Sequence, residues 1–129
     1  MAECKARVCM RDLLDPMNAQ LLQTTCKVRI PWKEYALICE KAAEQFASVE
    51  GLIWKVWTFS EQRHEGGGIY LFESKAALSN FLEGPIMTHL RNNPSFAEVS
   101  TKVFDILEAP SLLTGFSPAI QNGGEFVGA

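Results

Sequence analysis

Residues 51–72 read GLIWKVWTFSEQRHEGGGIYLF, and the way this stretch folds decides the architecture. From Leu52 to Ser60 the residues alternate and are rich in aromatic and β-branched types, which is a strand pattern. One face carries Leu52, Trp54, Val56 and Thr58; the other carries Ile53, Lys55, Trp57 and Phe59. EQRHEGGG (61–68) reads as a polar, glycine-rich connection, and GIYLFES (68–74) as the returning strand of a hairpin. The hairpin holds two of the three tryptophans, a lysine and a histidine beside a glutamate. It is either a core hairpin with a polar turn or one wall of a ligand pocket.

Upstream, QLLQTTCKVRI (20–30) also alternates and reads as a strand. Pro31 suits a helix start, and Tyr35, Cys39, Ala42, Phe46 and Val49 then fall at helical spacing until Gly51. Downstream, Ser74 is an N-cap for KAALSNFLEG. Gly84-Pro85 breaks that helix, and IMTHLRNN predicts a further short helical turn. FAEVSTKVFDIL (96–107) alternates through Val99, Thr101 and Val103 and predicts a fourth strand. The order β-α-β-β-α-β is that of an α+β, ferredoxin-like domain: an antiparallel sheet with both helices on one face. The opposite face would expose apolar side chains, which a sheet-on-sheet homodimer would cover. The domain spans 20–110. Residues 1–19 read as an N-terminal extension with a short helix around Leu13, and 111–129 as a tail without pattern.

A chain of 129 residues with 47% hydrophobic and 21% charged residues supports one globular domain with a real core. The net charge of −3 gives no basic footprint for nucleic acid. No apolar run is long enough for a membrane span, and the charged N-terminus does not read as a secretory signal, so a cytoplasmic location is expected. Cys4, Cys9, Cys26 and Cys39 lack CxxC spacing and read as free thiols rather than a metal or redox site. With two histidines and no cysteine cluster, no metal site is expected. Neither a P-loop nor a GxSxG motif occurs. Gly66, Gly67 and Gly68 read instead as turn residues with positive φ and a close backbone approach.

The candidate chemical groups follow from residue type. His64 and His89 are general-base candidates near neutral pH. Against that, His64 with Arg63 and Glu65 can be a solvated hairpin tip, and His89 can serve a helix C-terminus. Tyr70 and Trp57 carry polar tips on apolar bodies and suit a pocket wall; Trp54 and Phe72 join them as binding candidates or as plain core. Lys55 and Lys102 sit in apolar strands and read either as oxyanion holders or as members of structural ion pairs. Glu65 and Arg91 complete the substrate-binding candidates, with solvated surface roles as the alternative.

GLIWKVWTFSEQRHEGGGIYLFESKAALSNFLE together with VSTKVFDILE resembles the YdhR-type monooxygenase family, over roughly Gln20 to Pro110. That family lies in the dimeric α+β barrel superfamily, beside cofactor-independent antibiotic-biosynthesis monooxygenases. The resemblance implies a homodimer that binds an aromatic or polyketide-like small molecule without metal or flavin. The deprotonated substrate itself would deliver electrons to O₂, giving a hydroxylated or quinone product. In this setting His64 or His89 would be the base and Tyr70 or a lysine the oxyanion holder. The segment GPIMTHLRNN is also similar to plant polyketide cyclases, where a histidine after a His-Pro turn is the base; here the turn is Gly84-Pro85. A cyclase, isomerase or dehydratase using the same pocket is therefore the alternative, and a non-catalytic ligand-binding module the third reading.

Overall fold

The computed structural model describes residues 18–117. The elements are β1 (Gln20–Val28), α1 (Trp32–Ala47), β2 (Leu52–Ser60), β3 (Glu65–Phe72), α2 (Lys75–Leu82), α3 (Pro85–Asn92), β4 (Phe96–Asp105) and α4 (Glu108–Leu113). The four strands form one antiparallel sheet in the order β2-β3-β1-β4. This is the ferredoxin-like arrangement expected from the alternation and the helix signals. The expected helix near Leu13, together with Cys4 and Cys9, lies outside the described residues.

Local chemistry accounts for the boundaries. Pro31 precedes α1 with φ −61°, and Ser48 caps its C-terminus before Gly51 turns the chain at φ +82°. A Cβ at Gly51 would run into the Ala77 methyl group, so the position requires glycine twice over. The Ala77 N–H donates to the Ser74 hydroxyl at 3.1 Å, opening α2. Pro85 sits in the first turn of α3, where it lacks only an N–H that would be unpaired anyway. In β4 the pairing with β1 is irregular between Thr25 and Lys27, near Glu98 with φ +53°.

Register places the side chains in rows. On the helix-covered face one row is Lys55, Tyr70, Leu22 and Val103, and the next is Trp57, Gly68, Thr24 and Thr101. On the opposite face the row Trp54, Leu71, Leu21 and Phe104 crosses all four strands. Leu71 is fully buried there, while Phe104 remains 43% and Val56 52% exposed. Two buried clusters lie between sheet and helices. One gathers Leu22, Tyr70, Phe72, Leu78, Phe81 and Met87; the other gathers Cys26, Val28, Tyr35 and Phe96.

Two expectations change. The three glycines are not turn residues with positive φ. They are strand residues within β3, and the left-handed residue at the turn is His64, φ +52°. The glycines are there because neighbours occupy their side-chain space. A Cβ at Gly66 would enter the Tyr35 ring, one at Gly67 would meet the Thr24 carbonyl oxygen, and one at Gly68 would lie 2.6 Å from Lys55 Cε. The close backbone approach agrees with expectation, but the strand starts at Glu65 rather than at Gly68, so Gly66 and Gly67 belong to it as well. Second, the segment after Pro110 continues a helix, α4, whose third residue is Pro110 itself. Proline is tolerated there because the first turn needs no intrahelical N–H.

The Gly67 packing predicts that Gly67→Ala destabilises the domain by about 2–3 kcal/mol, since the obstacle is backbone and cannot swing away. Urea unfolding followed by tryptophan fluorescence measures this. A loss under about 0.5 kcal/mol, the range of an ordinary surface substitution, would contradict the tight β3–β1 approach.

Candidate functional site

The two buried clusters touch only through Leu90 and Val99, which pack against both, and a cavity of about 610 Å³ is lined by residues of each. That volume suits a small organic ligand. β1 supplies Thr24, Thr25 and Cys26 to its floor, and β2 and β3 supply Lys55, Trp57, Gly67 and Tyr70. One wall is α1, through Tyr35, Ile38, Cys39, Ala42 and Phe46, and the other is α3, through Met87, His89 and Leu90. Gly66 and Gly68 leave room on the sheet for two of the cavity's lining side chains. Tyr35 lies over the first and Lys55 over the second.

Lys55 is the centre of the site. Its ammonium lies 3.3 Å from the Trp57 ring centroid, 3.5 Å from that of Phe46 and 4.7 Å from that of Tyr70. The rings are themselves locked together. Phe46 meets Trp57 edge-on at 5.0 Å and Tyr70 at 6.1 Å, and Tyr70 stacks on Phe72 at 6.0 Å. The expected structural ion pair for Lys55 is absent: among the described residues no carboxylate pairs with it, and aromatic faces take that place. Burial pushes the Lys55 amine down from 10.5 to about 7; charge on Cys39 and Cys26 would act in the opposite direction. Each ring face favours the ammonium by about 0.5–2 kcal/mol, against a desolvation cost of several kcal/mol for a buried ion. The amine and the ammonium are thus both accessible near neutral pH.

The other polar groups stay protonated. Burial pushes the Tyr70 hydroxyl up to about 12, opposed by a hydrogen bond from Thr24 Oγ1 at 3.5 Å. The Tyr35 hydroxyl is raised further still, by burial and then by Cys39, one helical turn away and hydrogen-bonded to it. Burial also raises the Cys26 and Cys39 thiols. Among the described residues no group of histidine, cysteine or carboxylate side chains is placed to hold a metal ion. No helix among them is long and apolar enough to cross a membrane.

Of the residues singled out from sequence, the cavity brings together Lys55, Trp57, Tyr70 and His89, the last at the exposed mouth. Five lie elsewhere. His64 is exposed at the β2–β3 turn, where its carbonyl accepts from the Val28 N–H at 2.8 Å. Trp54 is on the opposite sheet face, in the row with Leu71. Phe72 is fully buried in the first cluster. Glu65 opens β3 opposite Ser60 and Lys27, and Arg91 is exposed on α3. Sequence reading missed Tyr35, Cys39 and Phe46 as cavity residues. Their i, i+4 and i+11 spacing was visible, but it reads equally as a closed core stripe.

The half-buried Lys55, without a carboxylate partner among the described residues, predicts a pH-dependent stability difference. Its folded value lies below its unfolded one, so between about pH 7 and 10.5 the unfolded chain binds the extra proton. Wild-type stability therefore gains from this group as pH rises through that window. Lys55→Met removes the penalty and should be more stable than wild type, by the widest margin at and below pH 7, narrowing to little at high pH. Thermal unfolding from pH 6 to 10 checks this; a margin that widens with pH would contradict it.

No curated protein matches the chain. Solved structures share the fold. A variant of SnoaB from Streptomyces nogalater, described as a cofactor-independent oxygenase, aligns with TM-score 0.57 at 13% identity, covering 70% of this chain and 95% of that one. A protein of unknown function from Nitrosomonas europaea aligns at 0.58 and 19%, covering 72% and 93%. A protein from Caulobacter crescentus described as a "putative antibiotic biosynthesis monooxygenase" aligns at 0.55 and 19%, covering 77% and 98%. The sequence over residues 21–116 matches the family described as "Putative mono-oxygenase ydhR". With that match spanning the whole sheet and the helices that wall the cavity, the chain belongs to the ydhR monooxygenase family.

Proposed function

We propose that the chain is a cofactor-independent monooxygenase acting on an aromatic or polyketide-like small molecule in the cavity around Lys55. The observation that carries this is a lysine without a carboxylate partner, held between three ring faces in a mostly apolar cavity. A substrate with an acidic phenol, enol or benzylic C–H gives its proton to the neutral Lys55 amine. The ammonium so formed stays beside the substrate anion. Tyr70, still protonated, donates a hydrogen bond to the developing oxyanion. Trp57 and Phe46 face the substrate ring, and His89 at the mouth exchanges the proton with solvent.

The anion then passes one electron to O₂, giving a substrate radical and superoxide. These join in a C–O bond, and the peroxide takes up the proton. Loss of water leaves a carbonyl, so one CH₂ and one O₂ become one C=O and one H₂O. The family and the oxygenase described for a structural neighbour support this chemistry. The test is aerobic and anaerobic incubation with phenols and polyketide-type anthrones, followed by mass spectrometry and an oxygen electrode. A product that gains one oxygen and loses two hydrogens, in air only and with matching O₂ uptake, is expected. Lys55→Met should lower its rate at least about 100-fold, the upper part of the general acid–base range. A product formed equally without air would replace this reading with a cyclase or isomerase in the same cavity.

The assembly we propose is a homodimer packed through the sheet face opposite α1. Its support is the four-strand row Trp54, Leu71, Leu21 and Phe104, with Val56 and Phe104 left exposed. Light scattering should give twice the chain mass. Val56→Glu should shift the population to monomer at micromolar concentration with unchanged far-UV circular dichroism. A monomeric wild type would refute the assembly.

A further inference from the structure

The cavity differs from the rest of the protein in its charge. The chain carries 15 acidic and 12 basic residues, yet among the described residues no carboxylate lines this cavity. The titratable groups that face it are Tyr35, Cys39 and Lys41 from α1, Cys26 from β1, Tyr70 from β3 and His89 from α3, around Lys55 itself. The α1 carboxylates Glu34, Glu40 and Glu44 are exposed and outside the lining. Cys26, Cys39, Tyr35 and Tyr70 remain neutral through neutral pH, because burial raises each of them. Among the described residues, the charges that line the cavity near neutrality are therefore positive. A cation in an apolar cavity without a counter-ion is costly, and a ligand that brings the counter-ion relieves that cost.

We infer that the cavity is selective for aromatic acids: its ligand is a planar ring system bearing an ionised oxygen, and that oxygen docks on the Lys55 ammonium between Trp57 and Phe46. An uncharged aromatic of the same shape would fill the same apolar walls and leave the cation unpaired. A ligand that arrives neutral but acidic reaches the same state by handing its proton to Lys55. Lys41 and His89 at the mouth extend the positive character outward and favour entry of an anion. This names the substrate class of the reaction proposed above and rests on that reading of the cavity as the substrate site. It concerns binding alone, so it is measured without turnover and without O₂.

The experiment is calorimetric titration of the full chain with 2-naphthoate and with its neutral isostere 2-naphthamide, under nitrogen. At about pH 6.5 the anion should bind roughly tenfold to a hundredfold more tightly, the size of a charge-assisted hydrogen bond. That preference should fall at least about tenfold by pH 9, as the free Lys55 loses its proton. Near pH 8, binding should take up protons from the buffer, read by comparing buffers of different ionisation enthalpy. Lys55→Met and Lys55→Gln should both lose the preference while still binding the amide, which shows an intact cavity. His89→Gln should keep the pH dependence. Equal affinity for the two probes, a preference that survives in both Lys55 variants, or a pH dependence that vanishes in His89→Gln would each overturn the assignment. Failure here leaves the oxygen chemistry standing for neutral substrates, and a failed oxygen test leaves the anion preference standing.

Discussion

The site depends on a subtraction. β3 crosses the middle of the sheet with three consecutive residues that carry no side chain, Gly66 to Gly68. On the helix-covered face this leaves two gaps, and close packing does not tolerate gaps, so neighbours lean in. Tyr35 descends from α1 onto Gly66, and Lys55 crosses from β2 onto Gly68. Between them Gly67 lets the β1 carbonyl of Thr24 approach. A larger residue at these positions would collide with the Tyr35 ring, the Thr24 carbonyl or the Lys55 side chain, and so displace groups that line the cavity. The backbone sets the cavity; the side chains only furnish it.

Lys55 shows what such a cavity does to a charge. A surface lysine keeps its proton far above neutral pH. Here water is partly removed and, among the described residues, no carboxylate replaces it, so ring faces surround the ammonium. Three such faces offset part of the desolvation cost and not all of it, which places the amine near the pH at which it can both accept and hold a proton. The same residue with a glutamate beside it would be a silent structural cation. Aromatic walls in place of a counter-ion make it a group whose charge depends on what enters.

The two faces of the sheet divide the labour. Period-two alternation sends Lys55, Trp57 and Phe59 toward the helices, and Trp54 and Val56 away from them. The first set meets α1 and lines or borders the cavity. The second belongs to the apolar sheet face opposite α1. A shift of one residue in the β2–β3 register would move Lys55 to the outer face and Val56 to the inner one. The hairpin register thus decides at once what the cavity contains and what the outer face presents.

Most of the fold was legible in the sequence. Alternation, helical spacing, Ser74 and the Gly84-Pro85 break are local signals, because each is a property of a few neighbouring residues and the backbone they favour. They determined the element order, hence the ferredoxin-like sheet, and they put Lys55 and Trp57 on one face. Within the candidate site, Lys55, Trp57, Tyr70 and His89 were legible as residue types with chemistry. What tertiary structure alone decided was which of the candidates meet. His64 looked as able as His89, but a left-handed turn holds it outside, while α3 carries His89 to the cavity mouth. Tyr35, Cys39 and Phe46 looked like a core stripe, because helical spacing is the same whether the stripe closes on a sheet or stands off it. The glycines looked like a turn, because glycine permits both a positive φ and a close approach, and only the packing partners choose between them. Trp57, two positions on, was placed beside Lys55 by the alternation itself, but whether a carboxylate or two further rings joined it depended on residues nine and fifteen positions away, Phe46 on a helix and Tyr70 on another strand. Pairing across such distances is set by register and packing, and the local sequence does not encode it.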